Sequence, residues 1–222
     1  MVEHVRRRVA LCEGLDEVYV CTCDREIADA VEKHGGRVVM TSPKHERASD
    51  RVAELAVGIQ ADIVVMVQGD EPMVVPEMVT LSLGPILEDP NVVCTNLASP
   101  IENQEDFLDR NTIKVVMARN GDALYFSREA IPTRARLAFA DLKVYKQVCI
   151  IPFRRDFLLT YAALEPTPLE QAESIDMLRA LEHGYPVRLV YSPYKSQAVD
   201  LPAELARVEA LMREDPLVAR YL

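Results

Sequence analysis

Glycine is scarce in this chain. Its eight glycines are scattered, and neither GxGxxG nor GxxxxGK[ST] can be assembled from them, which weighs against a dinucleotide oxidoreductase and a P-loop enzyme. HExxH, GxSxG and any cysteine–histidine cluster are missing too. The five cysteines, Cys12, Cys21, Cys23, Cys94 and Cys149, are odd in number and include no CxxC pair. They read as reduced and mostly buried, consistent with cytosol. A metal site on Cys21 and Cys23, which share one face of an apparent strand, lacks a second ligand pair at metal-binding spacing. No apolar run approaches the roughly 20 residues of a membrane span, and the opening MVEHVRRRVALCEGLDEV has no long apolar core of the kind a signal peptide needs. A cytoplasmic protein that engages no membrane is expected. A formal net charge of −10 argues against a nucleic-acid surface, which needs a basic stripe; local arginines or a metal ion can still neutralise a small anionic ligand.

What is present is organised around Ala61 to Pro72, ADIVVMVQGDEP. Ile63 to Val67 is a short, continuous apolar run rich in β-branched residues, the pattern of a strand covered on both faces inside a parallel sheet. It stops at Gln68-Gly69-Asp70-Glu71-Pro72, where glycine permits a tight turn and proline ends the ladder. Asp70 and Glu71 therefore fall near the carboxyl end of a buried strand, where open α/β sheets bind ligands. An acidic turn with no further role is the plainer reading. At 222 residues, 49% hydrophobic and 27% charged, the chain is long enough for one substantial core, with room for a small second lobe.

Along the chain, Val2 to Leu11 reads as a helix whose consecutive Arg6, Arg7 and Arg8 spread around a solvated surface. Glu17 to Thr22 is a strand, Asp24 caps a helix from Arg25 to His34, and Gly35-Gly36 ends it. Arg37 to Met40 is a strand. Ser49 or Asp50 caps a helix reaching Ile59. Pro76 opens a helix ending near Leu87, and Val92 to Leu97 is the next strand. This alternation implies right-handed crossovers and a parallel sheet. After Ala98 the rhythm changes. Ile113 to Met117 and Ala123 to Phe126 flank Arg119-Asn120-Gly121-Asp122, a strong hairpin signal. Lys143 to Phe153 is extended, helices follow at Arg154 to Tyr161 and Ser174 to His183, Val187 to Tyr191 is a late strand, and Pro202 begins the last helix. The expected architecture is one α/β domain over residues 1–222, with residues 111–153 inserted as a small hairpin lobe whose apolar surface suits a homodimer.

The remaining chemistry is acidic: Asp70, Glu71 and, before the last helix, Asp200 in Ala198-Val199-Asp200-Leu201-Pro202. Two carboxylates about 5 Å apart repel by roughly 3 kcal/mol at an effective dielectric of 20. A divalent cation removes that penalty, and few oxygen ligands with positions left for phosphate oxygens suit magnesium. Spacing alone does not bring Asp70 and Asp200 together, and Asp200 by itself reads first as a helix cap beside a proline.

From Glu17 to Met212 the sequence resembles the 3-deoxy-manno-octulosonate cytidylyltransferases (CMP-Kdo synthetases) and, more broadly, the cytidylyltransferases that activate sugar acids. VMVQGDEPMV, IKVV, ALYFSREAIP, PTPLEQAESIDMLRALEHG and AVDLPAELARVEALM carry the resemblance, in the family's order. It implies a three-layer, Rossmann-like nucleotide-diphospho-sugar transferase fold, usually homodimeric, that joins a Kdo-like sugar acid to CMP from CTP and releases pyrophosphate with Mg2+, in lipopolysaccharide biosynthesis. Carried over, Asp70 and Asp200 are magnesium ligands, and Gln68 lies beside nucleotide and sugar. Thr22, Ser49 and Arg51 fall on the cytidine side; Arg128, Gln147, Glu170 and Glu173 fall on the sugar side. The chain departs from the pattern at Cys23, where an aspartate is common, and at His45-Glu46-Arg47-Ala48-Ser49, where His-x-Ser-Gly-Thr is usual. It departs again at Gln147, where a histidine is expected; glutamine cannot become a cation and holds a carboxylate less firmly. The family's opening strand and triphosphate loop have no counterpart, so a truncated chain with weak CTP binding is expected. The alternatives are a relative that keeps the fold without turnover and a glycosyltransferase, although the latter usually carries Asp-x-Asp where this chain has Asp70-Glu71-Pro72.

Overall fold

The computed structural model describes residues 1–222. The first half alternates as expected: α1 (Val2–Val9), β1 (Tyr19–Thr22), α2 (Arg25–Glu32), β2 (Arg37–Met40), α3 (Ala48–Gly58), β3 (Ile63–Val67), α4 (Pro76–Glu88) and β4 (Thr95–Pro100). Asp24 caps α2, its Oδ1 accepting the N–H groups of Glu26 and Ile27 at 2.8 and 3.4 Å. Past the end of α2 only glycine fits at Gly36, where an added Cβ would lie 2.4 Å from Val31 Cγ1 and 2.7 Å from Arg6 Nε. The start of α3 differs from expectation. Arg47 occupies the cap position, because the Ser49 hydroxyl turns inward to Asp176 and Asp50 turns to Arg179.

The second half comprises α5 (Gln104–Leu108), β5 (Lys114–Met117), β6 (Ala123–Ser127), β7 (Tyr145–Val148), β8 (Ile150–Arg154), α6 (Arg155–Ala162), α7 (Pro168–Glu173), α8 (Met177–Glu182), β9 (Arg188–Tyr191) and α9 (Pro202–Glu214). The Asn-Gly hairpin is present, with Gly121 at φ +88 and the Ala118 N–H donating to Asp122 O at 2.8 Å. The helix expected from Ser174 begins later, as α8 at Met177, and a short helix that was not expected, α7, precedes it. Pro168 opens α7, and Ser174, left-handed at φ 54, breaks the chain before α8.

The sheet is mixed rather than parallel. Parallel ladders join β1 to β2 and β4 to β9, but β3 runs antiparallel to β8, from Ile63 opposite Arg154 to Val67 opposite Ile150. An apolar run specifies burial on both faces and carries no information about strand direction. The extended stretch Lys143 to Phe153 divides at Cys149: β7 pairs with β4 and β5, whereas β8 leaves to pair with β3. The ladders are β1-β2, β3-β8 and β6-β5-β7-β4-β9. Residues 111–153 thus carry the hairpin and β7 into the same sheet as β4 and β9, beside a small cluster of Ile101, Phe107 and Val144.

Two larger clusters lie on opposite faces. Val5, Val9, Met78, Leu83 and Ile150 pack under α1 and α4; Ala53, Val64, Ile151, Phe153, Leu158 and Leu178 pack under α3, α6 and α8. Adjacent residues Ile150 and Ile151 belong to different clusters, as the two-residue strand period requires. The result is helix, sheet and helix in three layers. Arg8 corrects the expectation of a solvated arginine run. Arg6 and Arg7 are half-buried and pair with Glu3, and Arg8 is 0% exposed.

Candidate functional site

The turn after β3 is tightly wound. Gln68 N–H donates to Cys149 O at 3.1 Å, Glu71 N–H to Gln68 O at 3.3 Å, and Val74 N–H to Glu71 O at 3.1 Å. Asp70 is half-buried on this turn and its Oδ1 has no hydrogen-bond partner. Burial, and then the negative charge of Asp200, push its carboxyl above the usual range. The approach to α9 is fastened here, the Val199 N–H donating to Asp70 O at 2.9 Å. Asp200 follows. Its carboxyl is also pushed up, by burial and then Glu204, against the opposing guanidinium of Arg128. Glu204 Oε2 accepts the N–H groups of Asp200 and Leu201 at 2.7 and 2.8 Å, which fixes the start of α9. The fold therefore brings together two carboxylates that lie far apart in sequence.

Their environment fits a hard divalent cation. A buried carboxylate oxygen without a donor, within the field of a second carboxylate, is stabilised by a cation. No cluster of three or more His, Cys, Asp or Glu side chains is placed to hold a metal, so a cation here would draw its other ligands from water and phosphate, as magnesium does. Cys23 lies exposed beyond β1, which removes both its expected burial and its pairing with Cys21 on one strand face. The sequence groups Glu71 with Asp70 and Asp200 but gives no sign of its burial. Glu71 is 4% exposed, with an unpartnered Oε2 and a carboxyl pushed up by burial to about 7 against the pull of Lys146. Lys146, on β7, donates to Ser196 O at 2.9 Å and so ties β7 to the segment carrying Asp200.

Of the residues expected beside the cytidine, Thr22 ends β1 and its Oγ1 accepts the Asp24 N–H at 3.0 Å. Arg51, one turn into α3, holds the loop before that helix through Thr41 Oγ1 at 2.6 Å, Ser42 O at 3.2 Å and His45 O at 3.4 Å. Ser49 is fully buried, and its hydroxyl donates to Asp176 Oδ2 at 2.7 Å.

Of the residues expected beside the sugar, Glu173 joins α7 to β6. Its Oε1 accepts from Ser127 Oγ at 2.7 Å and Tyr125 OH at 3.3 Å, and its Oε2 from the Arg128 N–H at 2.8 Å. Burial alone pushes its carboxyl up, but these donors and the Arg128 charge outweigh burial and hold it below the usual range. Arg128 itself donates to the carbonyls of Glu173, Arg110 and Ser174. Gln147 donates to Asn96 Oδ1 at 2.6 Å. Glu170 is 1% exposed and is gripped by Arg179, Nε to Oε2 at 2.8 Å and Nη2 to Oε1 at 2.7 Å. Arg179 also donates to Asp50 at 2.9 Å and lies over the Tyr161 ring. The Thr-Pro-Leu-Glu spacing signals that structural role, since Glu170 Oε2 accepts the Thr167 N–H at 3.3 Å in half of a capping box. Nothing in the spacing signals Asp176 or Arg179 as the partners of Ser49 and Glu170.

A family model described as cytidylyltransferase matches residues 1–198. A 3-deoxy-manno-octulosonate cytidylyltransferase of Geobacter metallireducens is 44% identical over 218 residues, covering 94% of this chain and 85% of the relative. One from Myxococcus xanthus is 44% identical over 214 residues, covering 96% and 86%. Among solved structures, a CMP:2-keto-3-deoxy-manno-octonic acid synthetase complexed with CTP matches with a TM-score of 0.88 at 36% identity, over 96% of this chain and 87% of that one. A 4-diphosphocytidyl-2C-methyl-D-erythritol synthase from Anaerococcus prevotii, at 13% identity and a TM-score of 0.63, shares the fold. The turn at Asp70, its convergence with Asp200 and these likenesses over nearly the whole chain agree: the chain belongs to the 3-deoxy-manno-octulosonate cytidylyltransferase family.

Proposed function

We propose that this protein transfers the cytidylyl group of CTP to a Kdo-like sugar acid, at a site where Asp70 and Asp200 hold one Mg2+. The observation that carries the metal assignment is the buried, donorless Oδ1 of Asp70 beside the Asp200 charge. In the reaction, an oxygen–phosphorus bond forms between the sugar's anomeric hydroxyl and the α-phosphate as the α–β anhydride bond breaks and pyrophosphate leaves. A bound magnesium ion would stabilise charge on the α-phosphate during this in-line displacement. Asp70 and Asp200 supply the carboxylates for it, and Gln68, on the same turn, borders nucleotide and sugar. Thr22, Ser49 and Arg51 shape the cytidine side, Ser49 and Arg51 by anchoring the start of α3. Arg128, Gln147, Glu170 and Glu173 build the sugar-side wall. Because their polar atoms are engaged within the chain, they position the wall's backbone and neighbours.

A pyrophosphate-release assay with CTP, Mg2+ and a panel of sugar acids tests the function. Turnover with a Kdo-like acid is expected, and a folded chain that turns over none of them favours a non-catalytic relative. Asp70→Asn and Asp200→Asn should each abolish metal-dependent turnover without unfolding the chain. Near-normal activity in both variants would overturn the site. The same reading includes a cytoplasmic homodimer formed through residues 111–153. Its support is that Leu124 and Leu137 stand 63% and 52% exposed in this region, that all five cysteines are free, and that no helix is long and apolar enough to cross a membrane. Sedimentation at micromolar concentration should give twice the 24.9 kDa chain mass; a monomer would count against the dimer.

A further inference from the structure

Three consecutive arginines on a helix cannot all reach water when one face of the helix is packed. In α1, Val5 and Val9 face the core, and Arg8 is carried inward beside them. A wholly buried guanidinium requires acceptors for its donors. Arg8 finds them on two separate elements. Its Nε donates to Val74 O at 2.6 Å and its Nη2 lies 3.5 Å from Met73 O, both on the segment running out of the Asp70 turn. Its Nη1 donates to Asp215 Oδ2 at 2.7 Å, and Asp215 caps the far end of α9, the helix that Asp200 introduces.

Helix α9 needs such a tie. Val208 is its one fully buried residue, and Leu205 and Leu211 stand 42% and 46% exposed. Packing alone holds it weakly. Its N-terminal approach is fastened by the bond from Val199 N–H to Asp70 O, and its C-terminal end by Arg8 and Asp215.

We propose that Arg8 is a positioning residue for the metal pair: by bonding Met73 and Val74 on one side and Asp215 on the other, it holds the Asp70 turn and the Asp200 helix in register. This rests on the reading that Asp70 and Asp200 share a cation. Arg8 touches neither carboxylate and acts through Val74 and α9, so its effect should fall at or below the lower end of the roughly 10–100-fold that direct partners of a metal ligand exert.

The test uses the full chain with Mn2+ as probe, in the presence of CTP, following free Mn2+ by electron paramagnetic resonance and amide hydrogen exchange along residues 199–215. Asp215→Asn leaves Arg8 its two carbonyl acceptors and is the milder variant; Arg8→Lys keeps the charge without the forked donors; Arg8→Met removes both. Mn2+ affinity should fall about threefold or more in Asp215→Asn and up to about tenfold in Arg8→Met, the lower end of the range for direct partners, with Arg8→Lys between wild type and Arg8→Met. Protection should be lost along α9 but retained in β3. If Asp70→Asn abolishes Mn2+ binding while Asp215→Asn and Arg8→Lys bind within twofold of wild type, the role of Arg8 is overturned and the metal pair stands. A wild-type chain that binds no Mn2+ overturns the metal pair and this inference with it.

Discussion

Replacing Arg179 by methionine tests the α7–α8 lock. Arg179 is 4% exposed in its side chain, and its partner Glu170 is 1% exposed. Removing the guanidinium strands a carboxylate in the interior. Breaking a buried pair in this way costs about 3–5 kcal/mol, far more than the net worth of the intact pair. Two features favour the lower end. Glu170 keeps the Thr167 N–H at 3.3 Å and Arg47 at 3.6 Å, and Asp50, whose side chain is 24% exposed, can return to water. The loss should therefore be near 3 kcal/mol, which at about 2–4 °C per kcal/mol for a chain of this size lowers Tm by roughly 6–12 °C. Differential scanning calorimetry on wild type, Arg179→Met, Glu170→Gln and the double variant closes the cycle. Neutralising Glu170 in the Arg179→Met background should recover a large part of the loss, giving a coupling above about 1 kcal/mol. A drop below 2 °C for Arg179→Met, or strict additivity in the double variant, would refute the lock and return Glu170 to the pool of side chains free to touch the sugar.

Two further outcomes follow from named contacts. The Glu173 carboxyl is held below its usual range in the folded chain, so the unfolded chain binds its proton first. The stabilisation is present above about pH 4.5 and is lost as pH falls through the folded value. Urea titrations should show Glu173→Gln less stable than wild type at pH 7, with the gap closing below pH 4.5; a gap that stays constant across that range defeats the assignment. Gly36→Ala forces a Cβ against Val31 and Arg6. It should cost about 1–3 kcal/mol by overpacking, read as a lowered urea midpoint with an unchanged slope; a neutral effect would mean that α1 and α2 can part more easily than their packing implies.

Most elements of this fold were legible because they are local. Asp24 before an amphipathic run, Gly35-Gly36 after it, Asn120-Gly121 between two β-rich runs and Pro76 at a helix start each act within a few residues, and all appear where expected. What could not be read is long-range. The direction of β3 depends on β8, more than eighty positions away, and a doubly buried strand looks the same in either orientation. The division of residues 143–153 at Cys149 arises because β7 and β8 serve different partners, while the apolar pattern runs through the break. Arg8 is the sharpest case. Three adjacent arginines resemble a solvated face, and only the docking of α1 against the Val74 segment and α9 determines which one turns inward.

The same distinction applies to the site. A motif names positions, but it does not reveal which atoms remain free once the chain has folded. Arg128, Glu170 and Glu173 fall on the motif stretches, Ser49 and Arg51 at and just after the departing His45–Ser49 segment, and each is engaged by neighbours within the chain. A hydroxyl proton given to Asp176, or a carboxylate already forked by Arg179, is not available to a ligand without breaking that bond first, so these residues act on a substrate through the loops they hold. Asp70 is the opposite case: its Oδ1 is buried, without a donor, and feels the negative charge of Asp200. An arrangement that disfavours ionisation in the free chain is the one a divalent cation would relieve most, because the desolvation and repulsion that raise the Asp70 carboxyl are offset by charge delivered at that atom. The electrostatic cost of holding these carboxylates charged and the gain a cation would bring there have one origin.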